Sequence, residues 1–261
     1  MTLFAGTALD AELERHRALE RVLDAGSRRF LGATGVGAGW RCLEVGAGGG
    51  SVAAWLGETV GSGGTVVALD TDTRLLTTVV GSNVEARTGD VRTSALPSAS
   101  FQLVHARHLL VHVPAFTDAL GAMMNALAPG GWLVLEEPDF SSARAFTGSF
   151  VQRQAFGNVN RAREALFRKD RMDLGFGTRL PGLVQTQGLQ ELLVENDAAI
   201  VRGGSPEAVM MGLAVSHRAD AFVATGAVTP EDIAHYVSFA ADPACWATYH
   251  ATIRATGRKP L

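Results

Sequence analysis

The chain has 261 residues, of which 47% are hydrophobic and 19% charged, and its formal net charge is −3. This length and apolar content are enough to bury a large core, which excludes an intrinsically disordered protein. The net negative charge argues against a nucleic-acid-binding domain, because such domains carry a clear excess of Lys and Arg.

Residues 9–31 form the first predicted element, an amphipathic helix. Apolar residues recur there at roughly helical spacing, with charged residues between them: Leu9, Leu13, Leu19, Val22, Leu23 and Phe30. The turn-rich run GATGVGAG over residues 32–39 ends this helix. We therefore assign residues 1–39 to an N-terminal helical segment.

Short apolar strands alternate with helices between residues 40 and 140. The predicted strands span residues 41–45, 65–70, 84–88, 101–106 and 132–137. The predicted helices span residues 51–60, a short stretch capped by residues 71–73 that ends near residue 80, and residues 116–128. The strands are apolar on both faces, which is typical of a parallel sheet covered by helices on both sides.

The chain changes character after residue 140. We predict helices without a strand in residues 141–188, further helices at 206–218 and 230–249, and strand material at 190–196, 198–202 and 252–256. The two helical insertions, 141–188 and 205–249, are expected to cap the sheet. The segments 190–203 and 250–257 are expected to close it, so that residues 1–261 form a single domain.

A glycine-rich turn follows the first predicted strand, with the sequence EVGAGGG over residues 44–50. Glycines let the backbone turn tightly and approach a ligand, and the next helix offers free N–H groups there. The dinucleotide fingerprint G-x-G-x-x-G fails, because its third glycine falls on Ser51 or Ala53. The phosphate-binding pattern G-x-x-x-x-G-K-[ST] fails as well, since no Lys lies near the turn.

Two acids stand at the ends of the next two strands. Asp70 ends the second strand, and its carboxylate is suited to accept two hydrogen bonds from a ribose diol. Asp90 ends the third strand, where it can accept a hydrogen bond from an adenine amino group. In an open α/β sheet ligands bind outside the carboxyl ends of the strands, so both acids lie where a nucleoside is expected.

The order of these motifs resembles that of class I S-adenosylmethionine-dependent methyltransferases over roughly residues 40–140. The motifs are EVGAGGG (44–50), ALD (68–70), TGDV (88–91) and LAPGG (127–131). The resemblance implies a Rossmann-like, mostly parallel seven-stranded sheet whose last strand is antiparallel, with residues 196–202 and 252–256 as the last two strands. It also implies S-adenosyl-L-methionine as the cofactor.

The resemblance further implies which residues hold this cofactor. Its amino-acid part would be cradled by residues at the glycine turn, namely Glu44, Gly46, Ala47 and Gly48. The nucleoside would be held by residues after the second and third strands, namely Asp70, Thr71, Asp90 and Val91. The methionine end would face two residues at the end of the fourth strand, Ala106 and Arg107.

Methyl transfer requires a general base only if the acceptor carries a proton at the working pH. Three histidines follow or end the fourth strand, and His112 is our first candidate for a base, with His108 second. The alternative is that His112 only packs or caps a loop. We predict no metal site, because His108 and His112 have no evident third ligand nearby.

The acceptor is expected to contact residues at the fifth strand end and in the cap. Glu136, Glu137 and Asp139 face the cleft, and we select Glu137 to bind a substrate amine or act as a base. Among the cap aromatics we select Phe150 and Trp246 as substrate contacts, with core packing as the alternative. Such a pocket favours a flat, aromatic small molecule.

These observations predict an enzyme that methylates a small, natural-product-like molecule at O, N or C, as in secondary metabolism. A cyclase or isomerase that keeps the cofactor site without methyl transfer is one alternative. A non-catalytic partner subunit is another, and it would bind the cofactor weakly. We expect no nucleic-acid partner, and a homodimer remains one alternative for the oligomeric state.

The sequence also predicts a compartment. No apolar run approaches the ~20 residues of a membrane helix, and the first residues lack the basic-then-apolar order of a signal peptide. Cys42 and Cys245 form no disulfide framework, which fits a reducing environment. Arg makes up 21 of the 23 basic residues, a bias of GC-rich genomes. We expect a cytoplasmic bacterial protein.

Overall fold

The computed structural model describes residues 9–78 and 81–261, and the chain divides into two compact units. Unit 1 holds the described residues up to Glu137, together with Thr178–Glu195 and Ile253–Leu261. Unit 2 holds Pro138–Gly177 and Asn196–Thr252. None of the helices in the described residues is both long and apolar enough to cross a bilayer.

The helices and strands are numbered along the chain. The helices are α1 (Leu9–Gly32), α2 (Ser51–Val60), α3 (Phe116–Ala126), α4 (Phe150–Lys169), α5 (Leu180–Thr186), α6 (Pro206–Ser216), α7 (Ala219–Val223) and α8 (Pro230–Ala241). The strands are β1 (Arg41–Val45), β2 (Thr65–Asp70), β3 (Val84–Thr88), β4 (Phe101–Arg107), β5 (Leu127–Asp139), β6 (Arg144–Ala145), β7 (Gln190–Asp197), β8 (Val201–Arg202), β9 (Trp246–Thr248) and β10 (Ala251–Arg258).

Seven strands form one sheet in the order β3-β2-β1-β4-β5-β10-β7. The first five are parallel, with Val45 beside Leu69 on one side and beside Ala106 on the other. β10 runs against β5: the Lys259 N–H donates to Gly131 O, while the Thr256 hydroxyl donates to Leu133 O. The predicted Rossmann-like, mostly parallel seven-stranded sheet with an antiparallel strand at the chain's end is confirmed.

A hydrophobic core fixes α1 and α2 against this sheet. Phe30 and Leu31 of α1 and Leu56 of α2 are buried with the inward-facing residues of the strands, such as Cys42 and Val66. Burial of a large apolar side chain stabilises a fold by about 1.5–3 kcal/mol. This packing places the start of α2 beside the carboxyl ends of β1 and β4.

Unit 2 is built around four helices, α4, α6, α7 and α8, and a small antiparallel sheet in the order β6-β9-β8. Aromatic rings fill its centre. The ring centroid of Phe156 in α4 lies 5.4 Å from the ring centroids of both Tyr236 and Tyr249. Helix α4 begins at a capping box in which Ser149 and Gln152 bond each other's backbone N–H.

Several predicted boundaries were wrong. Residues 196–202 are not a strand of the main sheet, because β7 ends at Asp197 and Val201–Arg202 pairs with β9 instead. The predicted helix at 230–249 ends at Ala241, just before Asp242-Pro243, where proline disfavours helix in the preceding residue.

Two further elements differ from their predictions. The strand Arg144–Ala145 lies where none was predicted, since two-residue strands depend on a partner distant in sequence. The helix after β2 is a 3₁₀ turn over Thr73–Thr78, and residues 79–80 of that prediction lie outside the described residues.

Candidate cofactor site

The glycine turn after β1 has a backbone that only glycine adopts readily. Gly46, Gly48 and Gly50 have φ angles of 73°, 53° and 88°, in the left-handed region. The N–H groups of Gly46 and Ala47 donate to Leu69 O at 2.8 and 3.3 Å, which ties the turn to the end of β2. Helix α2 follows immediately, and its first N–H group, that of Ser51, donates to Glu20 Oε1 at 3.3 Å.

Helix α1 lies against this turn, a feature that the sequence reasoning missed. A Cβ on Gly48 would stand 2.9 Å from the His16 ring, and one on Gly49 would clash with the Glu20 carboxylate. Burial, with Arg15 and Arg107 nearby, lowers the pKa of His16 to about 4. Burial raises the pKa of Glu20.

The start of α2 carries a polar cluster with charges of both signs. Arg107 Nη1 donates to Asp24 Oδ1 at 3.0 Å and to Ser27 Oγ at 2.9 Å. The Ser51 hydroxyl donates to the same Asp24 oxygen at 2.9 Å, and the Ser51 N–H donates to Glu20 Oε1 at 3.3 Å. One guanidinium and two carboxylates beside a helix N-terminus match the carboxylate and ammonium of an amino acid.

Asp70 joins the end of β2 to the glycine turn. Its Oδ2 accepts from the Gly48 N–H at 2.8 Å, and its Oδ1 accepts from the Asp72 N–H at 3.0 Å. The neighbouring Thr71 is exposed, and its hydroxyl lies 3.5 Å from Asp70 Oδ1. The half-buried carboxylate keeps free lone pairs for further donors, which a ribose diol would supply.

Asp90 is paired with a neighbouring arginine. The Arg92 N–H and its side-chain Nε donate to Asp90 Oδ1 at 2.9 and 3.0 Å, and these hydrogen bonds lower the pKa of Asp90. Val91 is buried next to it. The predicted adenine contact therefore requires Asp90 to share its carboxylate with Arg92.

The role of Asp90 can be separated from this pairing. We expect Asp90→Ala to weaken binding of S-adenosylhomocysteine about 10-fold, the cost of one charge-assisted hydrogen bond. Arg92→Ala should change affinity less than about 3-fold, because an exposed ion pair contributes little. Calorimetric titration of both variants measures this, and equal losses would mean that Asp90 only holds Arg92.

The two candidate bases lie at a short 3₁₀ turn over Leu110–His112, which His108 precedes and His112 ends. His108 has a φ of 51°, and its N–H donates to Glu136 O at 2.7 Å. Burial and the charge of Arg15 lower the pKa of His112 to about 4, so its imidazole is neutral at pH 7. The Nδ1 atom of His112 is buried and finds no hydrogen-bond partner in residues 9–78 and 81–261.

The Glu137 carboxylate is hydrogen-bonded to the backbone of this turn. Its carboxylate is buried and accepts from the N–H groups of Leu109, Leu110 and Val111 at 3.1, 2.6 and 3.2 Å. Burial raises the pKa of Glu137 to about 8, although these three donors oppose the shift. The geometry gives Glu137 a structural task, and its predicted contact with substrate stays a prediction.

The other predicted site residues fall into two groups. Ala106 and Glu44 are buried at the ends of β4 and β1, and Glu44 is hydrogen-bonded to His105 Nδ1 at 2.6 Å. Phe150 and Trp246 lie in unit 2, where 73% and 41% of their surfaces are exposed. Their substrate contacts stay predictions.

A family model described as a methyltransferase domain matches residues 8–166, more than half of the chain. The chain belongs to this family of methyltransferase domains. This membership confirms the resemblance to class I methyltransferases inferred from the motifs, a family whose methyl donor is S-adenosylmethionine.

Curated and solved relatives of this methyltransferase domain agree with the assignment. Methyltransferase str3 of Strobilurus tenacellus is 30% identical over 147 residues, which are 54% of this chain and 51% of that protein. The chain therefore spans about half the length of this relative. A phosphoethanolamine N-methyltransferase 2 of Haemonchus contortus, solved with S-adenosyl-L-methionine, has a TM-score of 0.54 at 17% identity, with 86% of this chain and 50% of that chain covered.

Two more solved structures share the fold of the methyltransferase domain. The YcgJ protein of Bacillus subtilis has a TM-score of 0.55 at 15% identity, with 94% and 99% of the two chains covered. The [4+2]-cyclase SpnF has a TM-score of 0.56 at 15% identity, with 93% and 81% covered. At these identities the likeness concerns the fold alone.

The residues at the carboxyl edge of unit 1 fit S-adenosylmethionine. Side chains of α1 lie against Gly48 and Gly49 so closely that a Cβ at either position would clash with them, and the Asp70 carboxylate offers acceptors for a ribose. The cluster around Arg107 and Asp24 offers partners for both ends of an amino acid. When bound, the cofactor supplies the electrophilic methyl group.

Proposed function

We propose that this protein transfers a methyl group from S-adenosylmethionine to O, N or C of a small, natural-product-like molecule by in-line displacement. The observation that carries the proposal is the position of the glycine turn, Asp70 and Asp90 at the ends of β1, β2 and β3. The protein's own part is to hold acceptor and methyl group in line and to exclude water.

Each end of the cofactor has a set of proposed partners. Asp70, with Thr71, takes the ribose, and Asp90, with Val91, takes the adenine. Residues around the start of α2 and at the ends of β1 and β4 take the amino-acid part: Glu20, Asp24, Glu44, Gly46, Ala47, Gly48, Ala106 and Arg107. Glu20 and Asp24 enter this list because α1 lies against the glycine turn.

His112 is the proposed base for an acceptor that carries a proton. Its imidazole is neutral at pH 7, in the form that accepts a proton, although the lowered pKa makes it a weaker base than an ordinary histidine. We expect His112→Asn to lower kcat by about 100-fold for a hydroxyl acceptor while KM for S-adenosylmethionine stays unchanged. His108→Asn is the matched comparison, and an unchanged kcat in His112→Asn would remove His112 from the reaction.

A small acceptor in the cytoplasm of a bacterium is favoured over a macromolecule. The net charge of −3 does not suit a polyanionic RNA or DNA. Exposed aromatic residues of unit 2, Phe150 and Trp246, suit a flat, apolar molecule. The proposed class of acceptor, and a role in secondary metabolism, rest on these residues and on the amino-acid composition.

Cyclisation or isomerisation is the second candidate, because the [4+2]-cyclase SpnF shares the fold. Such an enzyme would keep the cofactor site without consuming the cofactor. The number of cofactor molecules used per product formed therefore separates the two reactions.

Methyl-labelled S-adenosylmethionine tests the proposal. The protein is incubated with the labelled donor and with small-molecule, protein and RNA fractions of a bacterial extract. We expect label in the small-molecule fraction, with one S-adenosylhomocysteine formed per methyl transferred, and far less of both with Asp70→Ala. Label in RNA or protein would contradict a small acceptor, and product formed without S-adenosylhomocysteine would favour the cyclase.

A further inference from the structure

Four buried, charged side chains form a row across the carboxyl half of the sheet, which we call the buried charge row: Glu44, His105, Glu136 and Arg254. Glu44 Oε2 lies 2.6 Å from His105 Nδ1, and His105 Nε2 lies 3.1 Å from Glu136 Oε1. Arg254 Nε donates to Glu136 Oε2 at 2.9 Å. The row thus links β1, β4, β5 and β10, and it begins two residues before the glycine turn.

The charges of this row balance only if His105 is protonated. All four residues are at most 2% exposed, so each charge has lost its water. Two carboxylates then face one imidazolium and one guanidinium. A neutral His105 would leave one buried carboxylate uncompensated, which is strongly unfavourable away from water.

The geometry at His105 agrees with this protonation state. Each ring nitrogen faces a carboxylate oxygen, and only an imidazolium has an N–H to donate on both sides. Burial lowers the pKa of His105, but Glu44 and Glu136 outweigh it and raise that pKa to about 9. Glu136 responds in the opposite direction: burial raises its pKa, yet His105 and the nearby arginines lower it to about 2.

Other charged and polar groups around the row are already paired. Arg107 of β4 is bound to Asp24 of α1, and Ser27 of α1 donates to Glu136 Oε2 at 2.9 Å. At the outer end Glu195 of β7 accepts from Arg254 Nη1 at 2.9 Å. The protonation state of His105 is therefore set mainly by Glu44 and Glu136.

We infer that His105 is a positioning residue. It holds the carboxylate of Glu44, two residues before Gly46, so that the second oxygen of Glu44 receives the ammonium of the cofactor. This inference rests on the proposed function. In the described part of the chain, His105 is the hydrogen-bond partner of one Glu44 oxygen, and the other oxygen has no side-chain donor. Glu136 and Arg254 fix the ring that orients Glu44.

The protonation state is tested on the wild-type protein without cofactor. In ¹⁵N-histidine NMR spectra at pH 7.5, we expect one imidazole with both nitrogens protonated, and its signal should vanish in His105→Gln. His217→Gln, an exposed histidine of unit 2, is the control for the assignment. A His105 ring with one protonated nitrogen at pH 7.5 would overturn the inference.

The positioning role is tested by separating stability from affinity. His105→Gln should weaken S-adenosylhomocysteine binding at least 10-fold and lower the unfolding midpoint. His105→Gln with Glu136→Gln restores the net charge of the row, so we expect a midpoint above that of His105→Gln alone while the affinity loss persists. Wild-type affinity in the double variant would overturn positioning, whereas a wild-type protein that fails to bind at all would contradict the proposed function instead.

Discussion

Replacing Arg254 with methionine is expected to lower the free energy of unfolding by about 3–5 kcal/mol, because the change removes one of the two cationic partners of a buried carboxylate. Glu136 is fully buried and accepts from Arg254 Nε at 2.9 Å. The guanidinium also packs on α1, where a Cβ on Gly26 would lie 2.8 Å from Arg254 Cζ. Urea unfolding followed by circular dichroism measures the loss.

A control for this prediction lies at the exposed end of the same network. Arg29 pairs with Glu195, but 60% of the Arg29 side chain is exposed. Arg29→Met should cost less than about 1 kcal/mol, since exposed ion pairs contribute little. Equal losses for the two variants would show that burial of Glu136 does not set the energy of this network.

Replacing Asp70 with alanine is expected to weaken S-adenosylhomocysteine binding about 100-fold or more. Two charge-assisted hydrogen bonds to a ribose diol would be lost, each contributing about 1.5–3 kcal/mol. The Gly48 N–H would also lose its acceptor at 2.8 Å, which loosens the glycine turn. Asp70→Asn keeps one carbonyl acceptor, so its affinity should fall between those of wild type and alanine.

Asp72 provides the matched control for Asp70. It is an exposed carboxylate two residues further on, and hydrogen bonds from Arg74 lower its pKa to about 2. Asp72→Ala should bind within about 3-fold of wild type in the same calorimetric titration. Unchanged affinity in Asp70→Ala would remove the ribose assignment, and equal losses in both variants would point to a general disturbance of the loop.

Local sequence patterns predicted the parts of the fold that carry their own signal. The strands β1, β2 and β4 are apolar runs with turn residues at their ends, and their predicted ranges agree with the structure within one residue. The amphipathic pattern of α1 was equally clear. Strands β6 and β8 have two residues each and exist because β9 pairs with both, so no local pattern announces them.

The contribution of α1 to the candidate site had a signal that sequence reasoning did not use. His16, Glu20 and Asp24 recur every four residues, which places them on one face of the helix. The pattern shows that they share a face, but it does not show what that face meets. The contact with Gly48 comes from the packing of α1, which only the structure supplies.

The contacts within the buried charge row could not be predicted from the sequence. His105 sits within an apolar strand, 61 residues from Glu44 and 31 from Glu136. Arg254 lies 118 residues from Glu136. These partners meet because β1, β4, β5 and β10 are neighbours in the sheet. The order of strands in a sheet cannot be read from the sequence of any single strand.

A crystal structure of the protein with S-adenosylhomocysteine tests most directly whether the carboxyl edge of unit 1 is the cofactor site. We predict that the ribose hydroxyls donate to Asp70, that the adenine amino group lies at Asp90, and that the amino-acid part contacts the glycine turn and Arg107. A cofactor bound elsewhere, with Asp70 still bonded only to its present protein partners and His16 still lying on Gly48, would contradict the proposed site and the function built on it.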